Sequence, residues 1–120
     1  MSATVRGDPV RVSVCHCLAC QRRTGSVFGA QARFPRDAAT VEGVASEFVR
    51  RGDSGTSETC FRFCPRCGAT VYYTFDAAPE WIAIPVGAFA DPAFPPPTIS
   101  VYEARRHAWA SVPGDAEHLD

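Results

Sequence analysis

The 120-residue chain has no lysine and no asparagine, so all twelve of its basic residues are arginine. Without lysine, catalysis through a Schiff base on the protein is excluded. Any anion held by a side-chain cation must meet a guanidinium, whose planar fork suits carboxylates. Long apolar runs are missing too. None approaches the roughly 20 residues that span a bilayer, so no membrane segment is expected. The opening Met1–Asp8 has no apolar stretch, which argues against a secretory signal and for a cytoplasmic protein. Charge of one sign is not in excess: the net charge of −1 argues against a nucleic-acid surface built on bulk charge. No long helical period and no internal repeat is visible, and Pro95-Pro96-Pro97 is the one low-complexity stretch.

With 46% hydrophobic and 21% charged residues, the composition is that of a globular protein. The length fits one domain over residues 1–120. Cysteine is the informative count. Six are present, and five fall in two clusters: Cys15, Cys17 and Cys20 within Val14-Cys15-His16-Cys17-Leu18-Ala19-Cys20, and Cys64 and Cys67 within Phe63-Cys64-Pro65-Arg66-Cys67-Gly68. Cys60 stands four residues before the second cluster. A disulfide framework belongs to secreted chains, so CxC and CxxC spacing here points to a metal before a redox dithiol or structural disulfides.

Short alternating segments dominate the rest. Val10, Val12 and Val14 alternate with Arg11 and Ser13, as in a half-buried strand leading into the first cluster. One helical turn is expected over Gln21–Thr24, ended by Gly25. Strands are expected at Phe28–Phe34, Thr40–Glu42, Glu47–Arg51, Thr59–Phe63, Val71–Phe75, Trp81–Val86 and, last, Ile99–Tyr102. Pro35-Arg36-Asp37 reads as a turn, Gly52–Gly55 as a loop and the four-proline stretch Ala90–Thr98 as an irregular crossing. Glu103–Trp109 fits either a helical turn or an extended piece, and the tail around His118 is expected to fray. Eight or so short strands separated by turns mean an all-β sandwich or barrel-like domain.

The chemistry rests on the clusters. In Cys64-Pro-Arg-Cys67-Gly68 a tight turn brings both sulfurs to one side, and a positive φ at Gly68 lets backbone N–H groups face sulfur, as in a zinc knuckle. A knuckle supplies two ligands, and a closed structural site needs four. In the first cluster, Cys15 and Cys17 alternate onto one side of a strand end and Cys20 returns to it, so three thiolates can share one metal with a position open for chemistry. Thiolates favour zinc over magnesium or calcium. A second reading pairs Cys17 and Cys20 with Cys64 and Cys67 as a four-cysteine structural zinc, although 43 intervening residues exceed the zinc-ribbon spacing of about 15–20. His16, between two ligands, alternates away from the metal. Tyr72, Tyr73, Trp81, Phe89 and Trp109 are expected in the core or a pocket wall, and Asp91 in a turn before Pro92.

These residues resemble the glutathione-dependent formaldehyde-activating enzyme (GFA) family. The match rests on Cys15-His16-Cys17-Leu18-Ala19-Cys20-Gln21-Arg22-Arg23-Thr24-Gly25-Ser26, on Phe63-Cys64-Pro65-Arg66-Cys67-Gly68, and on Gly87-Ala88-Phe89-Ala90-Asp91-Pro92 with Phe94-Pro95-Pro96 and Trp109. The resemblance implies an all-β, Mss4-like fold of short antiparallel strands in stacked sheets. It implies a catalytic zinc on Cys15, Cys17 and Cys20, with Cys17 the catalytic thiolate, and half of a structural zinc site at Cys64 and Cys67. The implied activity is that of a carbon–sulfur lyase joining glutathione to formaldehyde or a related electrophile. Arg22 and Arg23 lie next to the site in sequence, where they would offset its charge, pair with a glutathione carboxylate or sit on a solvated turn. A zinc-stabilised binding or scaffold module without chemistry is the alternative. One departure stands out. The family's opening CxCG element, which supplies the other half of the structural site, has no counterpart before Cys15. Either Cys64 and Cys67 stay empty or weakly occupied, or Cys60, or Cys17 with Cys20, replaces the missing half.

Overall fold

Alternation along Arg11–Cys15 sends Arg11, Ser13 and Cys15 to one face of a sheet and Val12 and Val14 to the other. A computed structural model describes residues 1–52 and 57–120 and shows that both faces are covered. Of the loop expected over Gly52–Gly55, Asp53, Ser54 and Gly55 lie outside the described residues. Among the described residues the strands are β1 (Ser2–Val5), β2 (Arg11–Cys15), β3 (Gly29–Pro35), β4 (Ala39–Glu42), β5 (Ser46–Arg51), β6 (Glu58–Phe63), β7 (Thr70–Phe75), β8 (Trp81–Pro85), β9 (Ile99–Val101) and β10 (Glu117–His118). One α-helix, α1 (Leu18–Thr24), follows β2. The fold is the all-β, Mss4-like one. Among the described residues no helix is long and apolar enough to cross a membrane.

Eight strands form one sheet in the order β10-β9-β2-β3-β8-β7-β6-β5, while β1 and β4 pair antiparallel in a small second sheet. Val12, Ala32, Phe34, Ile82 and Ile84 make the main core on one face of the large sheet, and Ala3, Val5 and Ala39 of the small sheet pack onto it. The aromatics Tyr72, Phe89 and Phe94 close the same core. The opposite face carries Arg11, Ser13, Cys15, Gln31, Arg33, Phe61, Tyr73 and Phe75 around a cavity. Cys15 on β2 and Phe61 on β6 border that cavity although three strands separate theirs, so the sheet curls and this face is concave.

Several expectations change. The β2 strand is not half-buried. Ser13 and Val14 are both buried, because α1 and the curled sheet close the polar side, and Val10 lies outside the strand and exposed. The large sheet is not wholly antiparallel, since β9 runs parallel to β2 and β10 parallel to β9. The β9 strand ends at Val101, one residue early, because Tyr102 takes a left-handed φ of 57°. A 3-10 turn over Glu103–Arg105 follows it. The tail does not fray: Glu117 pairs with Ile99, and the His118 ring bonds the Glu103 carboxylate. Trp109 is 74% exposed and belongs neither to the core nor to the cavity wall. Asp91 does make the turn, its Oδ1 accepting the Ala93 N–H at 3.0 Å.

Candidate metal centre and its cavity

Cys17 ends the extended chain and caps α1. With φ −61° and ψ 152° it lies just outside the helix, and its Sγ accepts the Cys20 N–H at 3.3 Å. Sulfur here does what a serine oxygen does at an N-cap. The helix therefore begins at Leu18, earlier than the expected Gln21. At the other end Gly25 takes φ 71° and donates its N–H to the Gln21 carbonyl at 2.9 Å. The strand end, the cap and the first helical turn each bring one sulfur inward. The Sγ atoms of Cys15, Cys17 and Cys20 lie within 4.8 Å of one another. Sulfurs on one tetrahedral zinc stand about 3.8 Å apart when each Zn–S bond is about 2.3 Å, so the three fit a metal after small rotations. All six cysteines are free thiols.

The three sulfurs are not alike. Cys15 and Cys20 are buried, and Cys17 is half-buried. A hydrogen bond from Cys15, then one from Cys17 and the charges of Arg23 and Arg50, pull the Cys20 thiol down to about 5. The same bond and burial push Cys15 up. The adjoining cavity holds about 130 Å³ and is bordered by Cys15 and Cys20 but not by Cys17. Arg11, Arg23, Arg33 and Arg50 line it, and among the described residues no Asp or Glu does. The Arg23 guanidinium stacks 4.6 Å from the Phe61 ring centre and 5.4 Å from that of Tyr73. Burial and the neighbouring Arg11 lower the Arg33 pKa.

Of the two arginines expected at the site, only Arg23 borders this cavity. Arg22 lines an adjoining outer groove of about 330 Å³ with Ala19 and Phe48, and Arg23 and Arg50 form the wall between the two spaces. His16 is fully buried on the far side, its Nε2 2.9 Å from Ser100 Oγ and its ring edge-on to Phe28. Burial lowers its pKa.

Cys64 and Cys67 form the expected knuckle. Gly68 has φ 79° and its N–H bonds the Cys64 carbonyl at 2.8 Å. The backbone N–H groups of Arg66 and Cys67 face the Cys64 sulfur and lower its pKa. Among the described residues no third metal-ligating side chain joins this pair. Cys60 is no substitute. Its Sγ accepts the Arg62 Nε–H at 3.1 Å, and it borders a separate cavity with Glu47 and Glu58. Nor do Cys17 and Cys20 turn to the knuckle, since both group with Cys15.

Sequence reasoning missed Arg11, Gln31, Arg33, Arg50 and Phe61 as site residues. For the first three the signal was present: Arg11 and Ser13 share the period-two face of Cys15, and Gln31 and Arg33 stand opposite Ser13 and Arg11 in register. It also missed Gln21, whose side chain donates to the His16 carbonyl at 2.8 Å and meets His107 Nε2 at 2.9 Å. No spacing rule links residues so distant in the chain.

The domain is mostly β, and the three-thiol cluster at the head of its one described α-helix could hold a metal ion. Residues 1–105 match the family described as glutathione-dependent formaldehyde-activating enzyme, and the chain belongs to that GFA family. A comparison with curated proteins returned no match.

Proposed function

We propose that Cys15, Cys17 and Cys20 hold zinc and that the chain adds a thiol such as glutathione to formaldehyde or a related carbonyl compound, as a carbon–sulfur lyase. The observation that carries this reading is the convergence of three sulfurs beside a cationic cavity. When bound, zinc would keep thiols deprotonated and hold an incoming sulfur close to its partner. With zinc bound, Cys17, the least buried of the three, would be the sulfur that an incoming thiol replaces. Cys15 and Cys20 stay in place. Arg23 and Arg50 offset the negative charge of the sulfurs, and Arg22 in the outer groove meets a carboxylate of the thiol substrate. Reduced thiols suit the cytoplasm.

A scaffold module would also bind metal but would not need an arginine-lined cavity. Metal analysis after gentle purification, paired with the rate of adduct formation from glutathione and formaldehyde, separates the two. About one zinc per chain and a rate above the spontaneous one are expected, with Cys20→Ser lowering that rate enhancement by about 100-fold. Thiols that titrate as free or as disulfides, with no metal present, would refute the reading.

A further inference from the structure

Resting on that reading of the site, we propose that the electrophile is a small carbonyl compound carrying its own carboxylate, a 2-oxo acid of about two or three carbons, held in the arginine-lined cavity.

Charge is the first argument. Four guanidinium groups line the cavity, and none of them takes part in the ion pairs found among the described residues. Three thiolates on a dication would carry −1, and a substrate thiolate in the place of Cys17 would leave that total unchanged, so an excess of positive charge remains beside four guanidinium groups. A neutral aldehyde leaves that excess uncompensated, whereas a carboxylate neutralises part of it through the bidentate contact that guanidinium favours.

Unmet hydrogen-bonding capacity is the second argument. Among the described residues Arg11 Nε, Arg23 Nε and Arg50 Nη1 are buried donors without a partner, and Gln31 Oε1 is a buried acceptor without one. A carboxylate supplies acceptors for the donors. Gln31 Nε2 already donates to Ser13 Oγ at 2.8 Å, which leaves Oε1 free to accept an O–H. The reaction makes one. A carbon–sulfur bond forms between the thiol sulfur and the carbonyl carbon, the π pair moves to the carbonyl oxygen, and that oxygen takes the thiol's proton. The product is a hydroxy-thioether acid, and nothing is oxidised or reduced.

Size and access agree. An engineered cavity of roughly 150 Å³ takes a benzene-sized guest, so about 130 Å³ suits a small oxo acid and not a tripeptide. The bulk of the thiol substrate has its own place in the outer groove by Arg22 and Phe48.

Oxamate, an unreactive 2-oxo acid mimic, is the binding probe, and glyoxylate and formaldehyde are the competing electrophiles with glutathione. Calorimetry on the zinc-loaded chain should show oxamate binding at millimolar concentrations or below. Arg11→Gln and Arg33→Gln should each weaken it by about tenfold or more, and Arg22→Gln should leave oxamate affinity unchanged. Thermal melts confirm that the variants fold, and Arg11→Gln stands in if losing the Arg33 contacts to Phe75 and Trp81 unfolds the other. Glyoxylate should be used in preference to formaldehyde. Formaldehyde turnover without oxamate binding overturns this proposal and leaves the general function intact. Arginine-dependent oxamate binding without thiol addition to either carbonyl supports the anion site and overturns the general function.

Discussion

Hydrogen bonding between Cys15 and Cys20 lowers the Cys20 pKa and raises that of Cys15. The lowered Cys20 pKa means its contribution to stability is full above the ordinary thiol pKa of about 8.5 and is lost as the pH falls through about 5. The raised Cys15 pKa acts oppositely, its contribution being full below about 8.5 and lost above it. The metal-free, reduced protein should therefore melt at higher temperature as the pH rises from about 5 to about 8.5. Cys20→Ser should flatten that rise, and an unchanged slope in the variant would refute the lowered Cys20 pKa. Zinc affinity should fall in Cys17→Ser as well, measured by competition with a chelator, because a neutral hydroxyl replaces a thiolate that also caps α1.

At the scale of elements, α1 is only seven residues long and depends on its ends. Gly25 adopts a left-handed φ that costs other residues strain, so Gly25→Ala should destabilise the fold by about 1 kcal/mol in urea denaturation. The knuckle is the opposite case. It is preformed by its own turn, yet among the described residues no partner ligand reaches it. A structural zinc there would contribute on the order of 10 kcal/mol, comparable to the whole stability of a domain. Cys64→Ser should therefore leave the melting temperature of this chain close to that of wild type, with or without a chelator. A large chelator-dependent drop reproduced by Cys64→Ser would show an occupied site built from other ligands. The clusters, the Gly25 stop and the Gly68 turn were all legible in the sequence, because each is a local rule about a few neighbouring residues. Strands β1 and β10 were not. Ser2–Val5 and Glu117–His118 are short and polar or half-exposed, and only the partners β4 and β9 make them strands.

The whole molecule places its two kinds of chemistry on opposite faces of one sheet. Phe34 is 1% exposed at the centre of the apolar face, and Phe34→Ala should cost about 3–5 kcal/mol in denaturant unfolding. A fold stable by only about 5 kcal/mol would be left with about 0–2 kcal/mol, so a measurable fraction, up to about half, would unfold. The other face is where sequence and tertiary structure divide the work. Residue order alone determined the β character, the two cysteine clusters and the inward side of Cys15, since alternation and ligand spacing are properties of neighbouring residues. Alternation also turned His16 away from the sulfurs. Tertiary structure decided that Ser13 is buried, that Arg23 enters the cavity while Arg22 stays outside, that Trp109 faces solvent, and that Arg11, Arg33 and Arg50 gather beside the thiols. These outcomes depend on how far the sheet curls until β6 faces β2 across a small space. That curvature is a sum over pairings between strands far apart in the chain, which no local pattern encodes.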